Sequence, residues 1–388
     1  MSRVIVLLAC VLGVLGARAA SAQTPSDVIA FLVTNQSVQT GDFQRDQAAA
    51  AATRDTIARA LLVNLTTVPI QSSSSGFVYT LDPELGTMRR VSDSFGTFFV
   101  ERAGTSGAGR TSFGVSASGA GYDRLDGLSL RDGTLVTTAN RFTDEATPFD
   151  TDTLTLRVST QTMTVFAAYG VTDRLEIGGA LPFVHLHVEG SRLNVYRGQP
   201  FLQATGQADA SGLADAAVRA KYVLVSSRAG AFAVAGEVRL PTGDAEALLG
   251  AGRAAWRLTA VASAENGRVG VHGNAGIVRG GVSNEIAGAG AVTVAAAPRV
   301  TVSGELLIRR LADLSPIVPL TLPHPSIAGV ETTRLVPGIG GSTLSSLVAG
   351  VKWNAHSTLV ISGQVWMRLS NAGLTAPLTP TIAIDYLF

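Results

Sequence analysis

The chain has 388 residues, of which 46% are hydrophobic, 15% are charged and 42 are glycines. Its 30 Lys and Arg against 29 Asp and Glu leave a formal charge of +1, which gives no support for nucleic-acid binding. The charged fraction is well below the roughly 25% of soluble domains. Beyond residue 22, no segment is apolar over the roughly 18 residues that indicate a transmembrane helix. A membrane protein built from strands fits these properties, because a closed barrel pairs every backbone group.

Residues 1–22 have the pattern of a secretory signal peptide. Arg3 is followed by an apolar run from Val4 to Gly16, and Ala20–Ala22 is a small-x-small cleavage site. We expect cleavage near Ala22, which would also remove Cys10, the only cysteine.

Residues 23–75 predict a short helical segment and a linker. Helix formers are concentrated in 27–35 and 46–65, and the run at Ser72–Gly76 is typical of a linker. The pattern leaves open whether this segment plugs a barrel or lies beneath it in the periplasm.

Residues 76–388 predict an all-β fold, a transmembrane antiparallel up-and-down barrel of about 12–14 strands. Alternation of apolar residues with polar or small ones recurs in segments of about ten residues. These segments include 94–103, 111–122, 175–183, 218–224, 232–240, 256–262, 269–277, 300–308, 347–353 and 359–369.

The connections between these segments alternate in length. The Asn266-Gly267 pair is a strong signal for a tight hairpin turn. Longer connections are expected at 185–214, 241–251, 280–285 and 310–344. Short turns at one end and long loops at the other are typical of barrels with periplasmic turns and extracellular loops.

The last predicted strand has one apolar face, formed by Ile382, Ile384, Tyr386 and Phe388 at alternating positions. This pattern resembles the C-terminal signature of Gram-negative outer-membrane barrels. The resemblance implies that these four residues are an assembly signal recognised by the barrel-assembly machinery, with outer-membrane lipid as the surrounding partner.

Two further stretches resemble one family. "FAAYGVTDRLEIGGALPFV" from Phe166 to Val184, followed by "EVRLPTGD" from Glu237 to Asp244, is similar to the outer-membrane family labelled as putative transporters of a phenol-degradation meta pathway. The resemblance covers about residues 151–280. It implies a barrel that passes small, often hydrophobic or aromatic, molecules, and it carries over no catalytic residue.

The residues that alternate with the apolar ones along the predicted strands should face the inside of the barrel, and they predict a polar lumen. Charges of both signs on neighbouring strands can pair across the ladder, whereas an Arg or Lys facing lipid at the midplane would cost about 2–4 kcal/mol. We interpret these side chains first as structural ion pairs and second as selectivity groups. The lumen-facing candidates are Arg157, Glu176, Arg219, Lys221, Glu237, Arg239, Arg257, His272, Asn274, Glu305, Arg309, Lys352, Gln364 and Arg368.

Enzyme signatures are weak. Gly104–Thr111 is one residue from a phosphate-binding loop, with Arg110 at the lysine position, but a strand pattern follows it instead of a helix. His185 and His187 have no third ligand at metal-binding spacing, so a solvated loop pair is favoured. No G-x-S-x-G motif is present, although a Ser-His-Asp lipase arrangement is defined by geometry and stays open.

The sequence therefore predicts a passive outer-membrane channel for small molecules, with no catalytic residue, metal or cofactor. The alternative is an outer-membrane barrel without transport activity, either a lipid-acting enzyme or a structural or adhesive surface protein.

Overall fold

A computed structural model of the chain describes residues 23–33, 51, 54–55, 57–64, 94–227, 230–324, 326–356 and 358–388, together with the backbone of 79–82 and 87–90. The predicted signal peptide and the linker at Ser72–Gly76 lie outside these residues. Within them, no helix combines the length and the hydropathy that crossing a membrane requires.

Strands dominate the described part of the chain. A helix, α1, spans Pro25–Val33, and residues 57–64 are also helical. The strands are β1 (Tyr79–Asp82), β2 (Thr87–Arg90), β3 (Thr111–Tyr122), β4 (Arg124–Leu125), β5 (Leu128–Ser129), β6 (Leu135–Phe142), β7 (Asp150–Gly170), β8 (Leu175–Tyr196), β9 (Gln199–Leu213), β10 (Ala217–Ser226), β11 (Ala231–Arg239), β12 (Ala255–Asn266), β13 (Val269–Gly280), β14 (Glu285–Ala297), β15 (Val300–Leu311), β16 (Ile317–Pro323), β17 (Val330–Pro337), β18 (Ser342–His356), β19 (Leu359–Arg368), β20 (Leu374–Thr375) and β21 (Leu378–Leu387).

Twelve of these strands close into an antiparallel barrel, which confirms the predicted fold class. The order around the barrel is β3, β7, β8, β10, β11, β12, β13, β14, β15, β18, β19 and β21, with β21 pairing back to β3. Closure leaves no unpaired strand edge at the level of the barrel, as a bilayer requires.

The faces of the barrel are inverted relative to a soluble protein. On β11, Ala233 and Ala235 are buried, while Phe232 and Val238 are 41% and 44% exposed. Large apolar side chains therefore point outward, where lipid covers them, and small or polar ones point into the lumen. The predicted assembly-signal residues, Ile382, Ile384, Tyr386 and Phe388, all lie on the exposed side of the sheet; recognition by the assembly machinery stays a prediction.

The two ends of the barrel differ in their connections. At one end, called here the short-turn end, β12 and β13 are joined at Gly267, whose φ of 54° fits the predicted Asn-Gly turn. At the other, long-loop end, four of the connections carry further strands, whereas β11 and β12 are joined by a loop at 240–254 and β13 and β14 by residues 281–284 alone. The expected long loop at 280–285 is therefore as short as a turn.

A sheet rises above the barrel at the long-loop end. β7 and β8 pair along their full lengths, and their upper parts continue outward to β6, β17 and β16 on one side and to β9 on the other. The expected loop at 185–214 is instead the hairpin of β8 and β9. At 21 and 22 residues, β7 and β8 are about twice as long as the 9–11 residues that a membrane strand needs.

The N-terminal helices pack at the long-loop end, where α1 lies against β8 and β9 and the helix at 57–64 bonds to Leu374. Thr24 and Asp27 form a capping box at the start of α1, with Thr24 N to Asp27 Oδ2 at 3.0 Å and Asp27 N to Thr24 Oγ1 at 3.1 Å. Leu32 is fully buried against β8, where a side chain on Gly190 would come within 2.6 Å of it. The same side chain would lie 2.7 Å from the Thr155 carbonyl of β7, so the strand and the helix together favour glycine at position 190.

The outward-facing apolar side chains form a band around the barrel that lipid should cover. Leu306 tests the placement of this apolar band, because it lies on the outward face at the middle of β15 and is 43% exposed. Leu306→Arg should cost about 2–4 kcal/mol of folding free energy in a bilayer, since a midplane charge loses its hydration. We expect a lower folded fraction, measured by heat-modifiable gel mobility after folding into liposomes.

Leu378→Arg is the matched control, since Leu378 is outward-facing at the first residue of β21, near the long-loop end. Near the interface the same change costs about 0–1 kcal/mol. Equal folded fractions for the two variants would contradict this placement of the band.

Candidate functional site

The lumen is filled at the short-turn end by residues 94–110, called here the lumen segment. Its backbone amides bond to side chains of the barrel wall: Phe95 N lies 2.9 Å from Thr301 Oγ1, and Ala103 N lies 2.9 Å from Ser263 Oγ. The expectation that 94–103 is a strand is therefore wrong, since these amides find side-chain acceptors in place of a neighbouring strand.

Glu305 is the main attachment point of the lumen segment. Its carboxylate accepts hydrogen bonds from three successive amides, those of Phe98, Phe99 and Val100, with the last two at 2.9 Å. A side chain on Gly350 would meet the Phe98 ring at 2.7 Å, so glycine on β18 makes room for the segment. Hydrogen bonds from amides to an ionised carboxylate are charge-assisted, so each of these three bonds is stronger than one between neutral groups.

Buried ion pairs join the lumen segment to the wall. Glu101 contacts Arg219 at 2.8 Å and Lys221 at 2.9 Å, and the Arg102 Nε lies 2.9 Å from Glu265. Lys221 also lies 3.3 Å from Glu176. Removing one partner from such a buried pair costs about 3–5 kcal/mol, because the remaining charge is left without compensation.

Three other predicted lumen residues also surround the segment. Asn274 accepts a hydrogen bond from the Glu101 amide at 2.6 Å, and the Lys352 ammonium donates to the Thr97 carbonyl at 2.8 Å. His272 is buried, with its Nδ1 2.9 Å from Ser263 Oγ. The structure thus gathers these candidates around a chain segment that the sequence did not place in the lumen.

A second ionic network lies on the wall facing the centre of the lumen. Arg239 Nε is 3.0 Å from Glu237, and Glu285 is shared by Arg257 at 3.0 Å and Arg309 at 3.1 Å. Glu285 was missed because it was assigned to a loop. Extending the alternation of β14 by one residue would have found it.

Glu101, Arg102 and Glu265 were also missed. Glu265 lies eight positions after Arg257 on β12 and therefore faces the same side of the sheet. The alternation could have identified it as well. Glu101 and Arg102 belong to the lumen segment, which is irregular chain. Irregular chain has no repeating pattern from which the strand contacted by each side chain could be predicted.

Two candidates lie toward the end of β19. Gln364 is buried, and its amide group has no hydrogen-bond partner among the described residues. Arg368 is half-buried; its Nη2 donates to the side chain of Asn64 and to the Leu374 carbonyl, the latter at 3.2 Å.

Arg157 is not lumen-facing, and its assignment was wrong. Its side chain is 69% exposed and lies 3.6 Å from Glu189, whereas its neighbours Leu156 and Val158 are buried in the interior. Arg157 lies in the upper half of β7, beyond the length needed to cross a bilayer, where an outward charge meets water.

A cavity of about 170 Å³ lies in the lumen, beside the lumen segment and the helix at 57–64. One wall carries hydroxyl groups from the adjacent strands β7, β3 and β21. These residues are Ser116, Ser118, Thr160, Thr162, Thr164, Thr379 and Thr381. Each hydroxyl can donate one hydrogen bond and accept up to two without adding charge.

The rest of the cavity lining is aromatic and ionic. Phe99 and Trp366 meet edge-to-face with their ring centres 4.9 Å apart. Arg239, Arg309 and Arg368 come from β11, β15 and β19. The cavity therefore offers apolar contact, neutral hydrogen bonds and positive charge in one place.

The described residues contain no group of three or more His, Cys, Asp or Glu side chains arranged to hold a metal ion. His185 and His187 lie on β8, in the upper hairpin. Their ring Nδ1 atoms are each 2.7 Å from a side chain of β9, Ser211 for His185 and Asp209 for His187.

A closed antiparallel barrel with an apolar outer band and a polar, charge-paired interior is the architecture of outer-membrane β-barrels. The chain has that fold. No family model matches it, and no curated protein matches its sequence, so its resemblance to the phenol-degradation family stays a prediction.

Solved structures with a similar fold include channels and porins. An outer-membrane channel from Pseudomonas putida F1 is 11% identical, with 72% of this chain and 96% of that chain covered and a TM-score of 0.46. The NanC porin is 6% identical, with 70% and 98% covered and a TM-score of 0.36. The CymD monoaromatic hydrocarbon channel is 10% identical, with 72% and 88% covered and a TM-score of 0.27. The likeness is to the barrel architecture alone.

Glu305→Gln tests the attachment of the lumen segment. The amide keeps one acceptor but turns an NH₂ group toward backbone donors, so we expect the segment to detach more often, at about 1.5–3 kcal/mol for each charge-assisted bond lost. Single-channel recordings in planar bilayers should show more frequent or larger openings than the parent chain.

Glu331→Gln is the control, because Glu331 pairs with Arg141 at 2.7 Å at the long-loop end, away from the segment. It should conduct like the parent. Parent-like conductance of Glu305→Gln as well would show that the contacts of Glu305 do not hold the lumen closed.

Proposed function

We propose that the protein is an outer-membrane channel for passive passage of small molecules. The observation that supports this function is the lumenal cavity, which lies between the lumen segment and the long-loop end and is lined by inward-facing side chains of the barrel strands. A cavity at this position is a natural resting point for a solute that crosses the barrel along its axis.

The size of the cavity favours solutes of about one aromatic ring. Its volume of about 170 Å³ is close to the roughly 150 Å³ of an engineered apolar cavity that binds benzene. Phe99 and Trp366 offer apolar contact, and the hydroxyl wall offers hydrogen bonds. Small molecules with an apolar body and a polar group match both surfaces, in keeping with the sequence resemblance to the phenol-degradation family.

We infer that the N-terminal segment plugs the barrel through its described helices, α1 and residues 57–64, and does not form a periplasmic appendage. The buried contact of Leu32 with Gly190 supports this role, as does the hydrogen bond of 2.9 Å from the Asn64 side chain to the Leu374 carbonyl. Secretion with cleavage near Ala22 and insertion by the barrel-assembly machinery complete the proposal.

Liposome swelling tests the proposed function. Vesicles containing the folded chain should admit a pentose and small aromatic acids faster than protein-free vesicles, and should exclude a trisaccharide, which exceeds the cavity. Swelling rates equal to those of protein-free vesicles for every solute would contradict a channel.

A lipid-acting hydrolase is the second candidate, because one Ser, one His and one Asp meet on the outside of the upper hairpin. His185 Nδ1 is 2.7 Å from Ser211 Oγ, and its Nε2 is 3.8 Å from Asp209 Oδ1. The same Asp209 oxygen lies 2.7 Å from His187, which competes for it. The arrangement is therefore looser than a catalytic triad requires. Hydrolysis of a reporter ester by the chain, lost in Ser211→Ala, would favour this function over transport.

A further inference from the structure

The arginines of the lumenal cavity differ in how their charge is compensated. Arg239 lies 3.0 Å from Glu237, and Arg309 lies 3.1 Å from Glu285. Arg368 has no carboxylate within ion-pairing distance in the described part of the chain. Its hydrogen bonds go to neutral oxygens of Asn64 and Leu374.

Arg368 also has unused hydrogen-bonding capacity. Its Nη1 is shielded from solvent and has no partner among the residues that the structure describes. A guanidinium carries five N–H donors in a fixed planar arrangement that fits a carboxylate with two parallel bonds. A buried donor without a partner and a half-buried cation without a counter-ion are both unfavourable, and one bound anion would relieve both.

The other ionisable groups that line the cavity do not provide that anion. Asp215 is the only carboxylate among the described lining residues, and its oxygens already accept from the amides of Gly243 at 3.1 Å and Ala251 at 2.8 Å. Glu285 is shared between Arg257 and Arg309. Tyr122, the remaining ionisable residue, is a neutral phenol.

We propose that the cavity binds small organic monoanions, carboxylates of about one aromatic ring, with Arg368 contacting the carboxylate. The ring would lie against Phe99 and Trp366, whose apolar surfaces line the same space. This inference rests on the proposed function and names the class of solute for the same site. The site should bind one-ring acids more tightly than neutral or cationic molecules of the same size.

Calorimetric titration of the folded, detergent-solubilised chain with benzoate and with benzyl alcohol tests the assignment. Benzoate should bind more tightly than benzyl alcohol, which has the same ring and no charge. In Arg368→Met the dissociation constant for benzoate should rise roughly ten- to a hundredfold, the value of one or two hydrogen bonds to a charged group. Binding of benzyl alcohol should change by less than about threefold.

Arg310→Met is the matched control, because Arg310 is the neighbour of Arg309 on the exposed face of β15 and donates to Thr343 at 3.1 Å. It removes the same charge outside the lumen and should leave benzoate binding unchanged. Arg368→Lys keeps the charge but loses the planar pair of donors, so it should bind benzoate with intermediate affinity. Heat-modifiable gel mobility establishes that each variant is folded.

Equal affinity of the parent chain for benzoate and benzyl alcohol would overturn the assignment without any variant. Unchanged benzoate affinity in folded Arg368→Met would overturn it as well. Liposome swelling distinguishes this failure from failure of the channel: uptake of solutes without a preference for benzoate keeps the channel and rejects the anion site. Benzoate binding that depends on Arg368 without any uptake keeps the site and rejects the channel.

Discussion

The carboxylate of Glu305, which accepts three successive backbone amides of residues 98–100, is the contact on which the interior of this barrel depends. A charge that points into a closed barrel has little water around it and must find a partner inside. Here the partner is the chain itself. Glu101 and Arg102 extend the same arrangement, since they neutralise Arg219, Lys221 and Glu265 of the wall. The wall and the lumen segment are therefore complementary in charge, and neither is satisfied without the other.

This attachment divides the lumen. The lumen segment occupies the short-turn end, α1 and the helix at 57–64 pack at the long-loop end, and the cavity is lined by both Phe99 of the segment and Asn64 of the helix. The Phe99 ring forms part of the lining, so the segment that closes the lumen also shapes the cavity. In the proposed channel, a solute would have to displace part of the segment to cross the barrel. The strength of the segment's hydrogen bonds, together with the size of the solute, would then set the rate of passage.

The barrel could be predicted from the sequence because lipid outside and polar groups inside impose a period of two on every strand. That rule located most of the lumen residues, from Glu176 to Arg368. It failed for Arg157, since the period does not show where a 21-residue strand leaves the bilayer. It also failed for residues 94–103. Their bonding partners, such as Glu305 and Asn274, lie more than 150 positions away and leave no local pattern. The cavity could not be predicted, because it is the space left when the segment and the wall are packed together.

Hydrogen exchange of the amides of Phe99 and Val100 in the folded, membrane-embedded chain tests this account most directly. These amides lie in irregular chain, so only their bonds to Glu305 and their burial can slow their exchange. We expect protection comparable to that of the amides of β15, measured by mass spectrometry on peptides spanning 94–103. Exchange as fast as in the exposed loop at 144–148 would show that the segment does not stay in the lumen. The charge complementarity described here would then not hold the interior together.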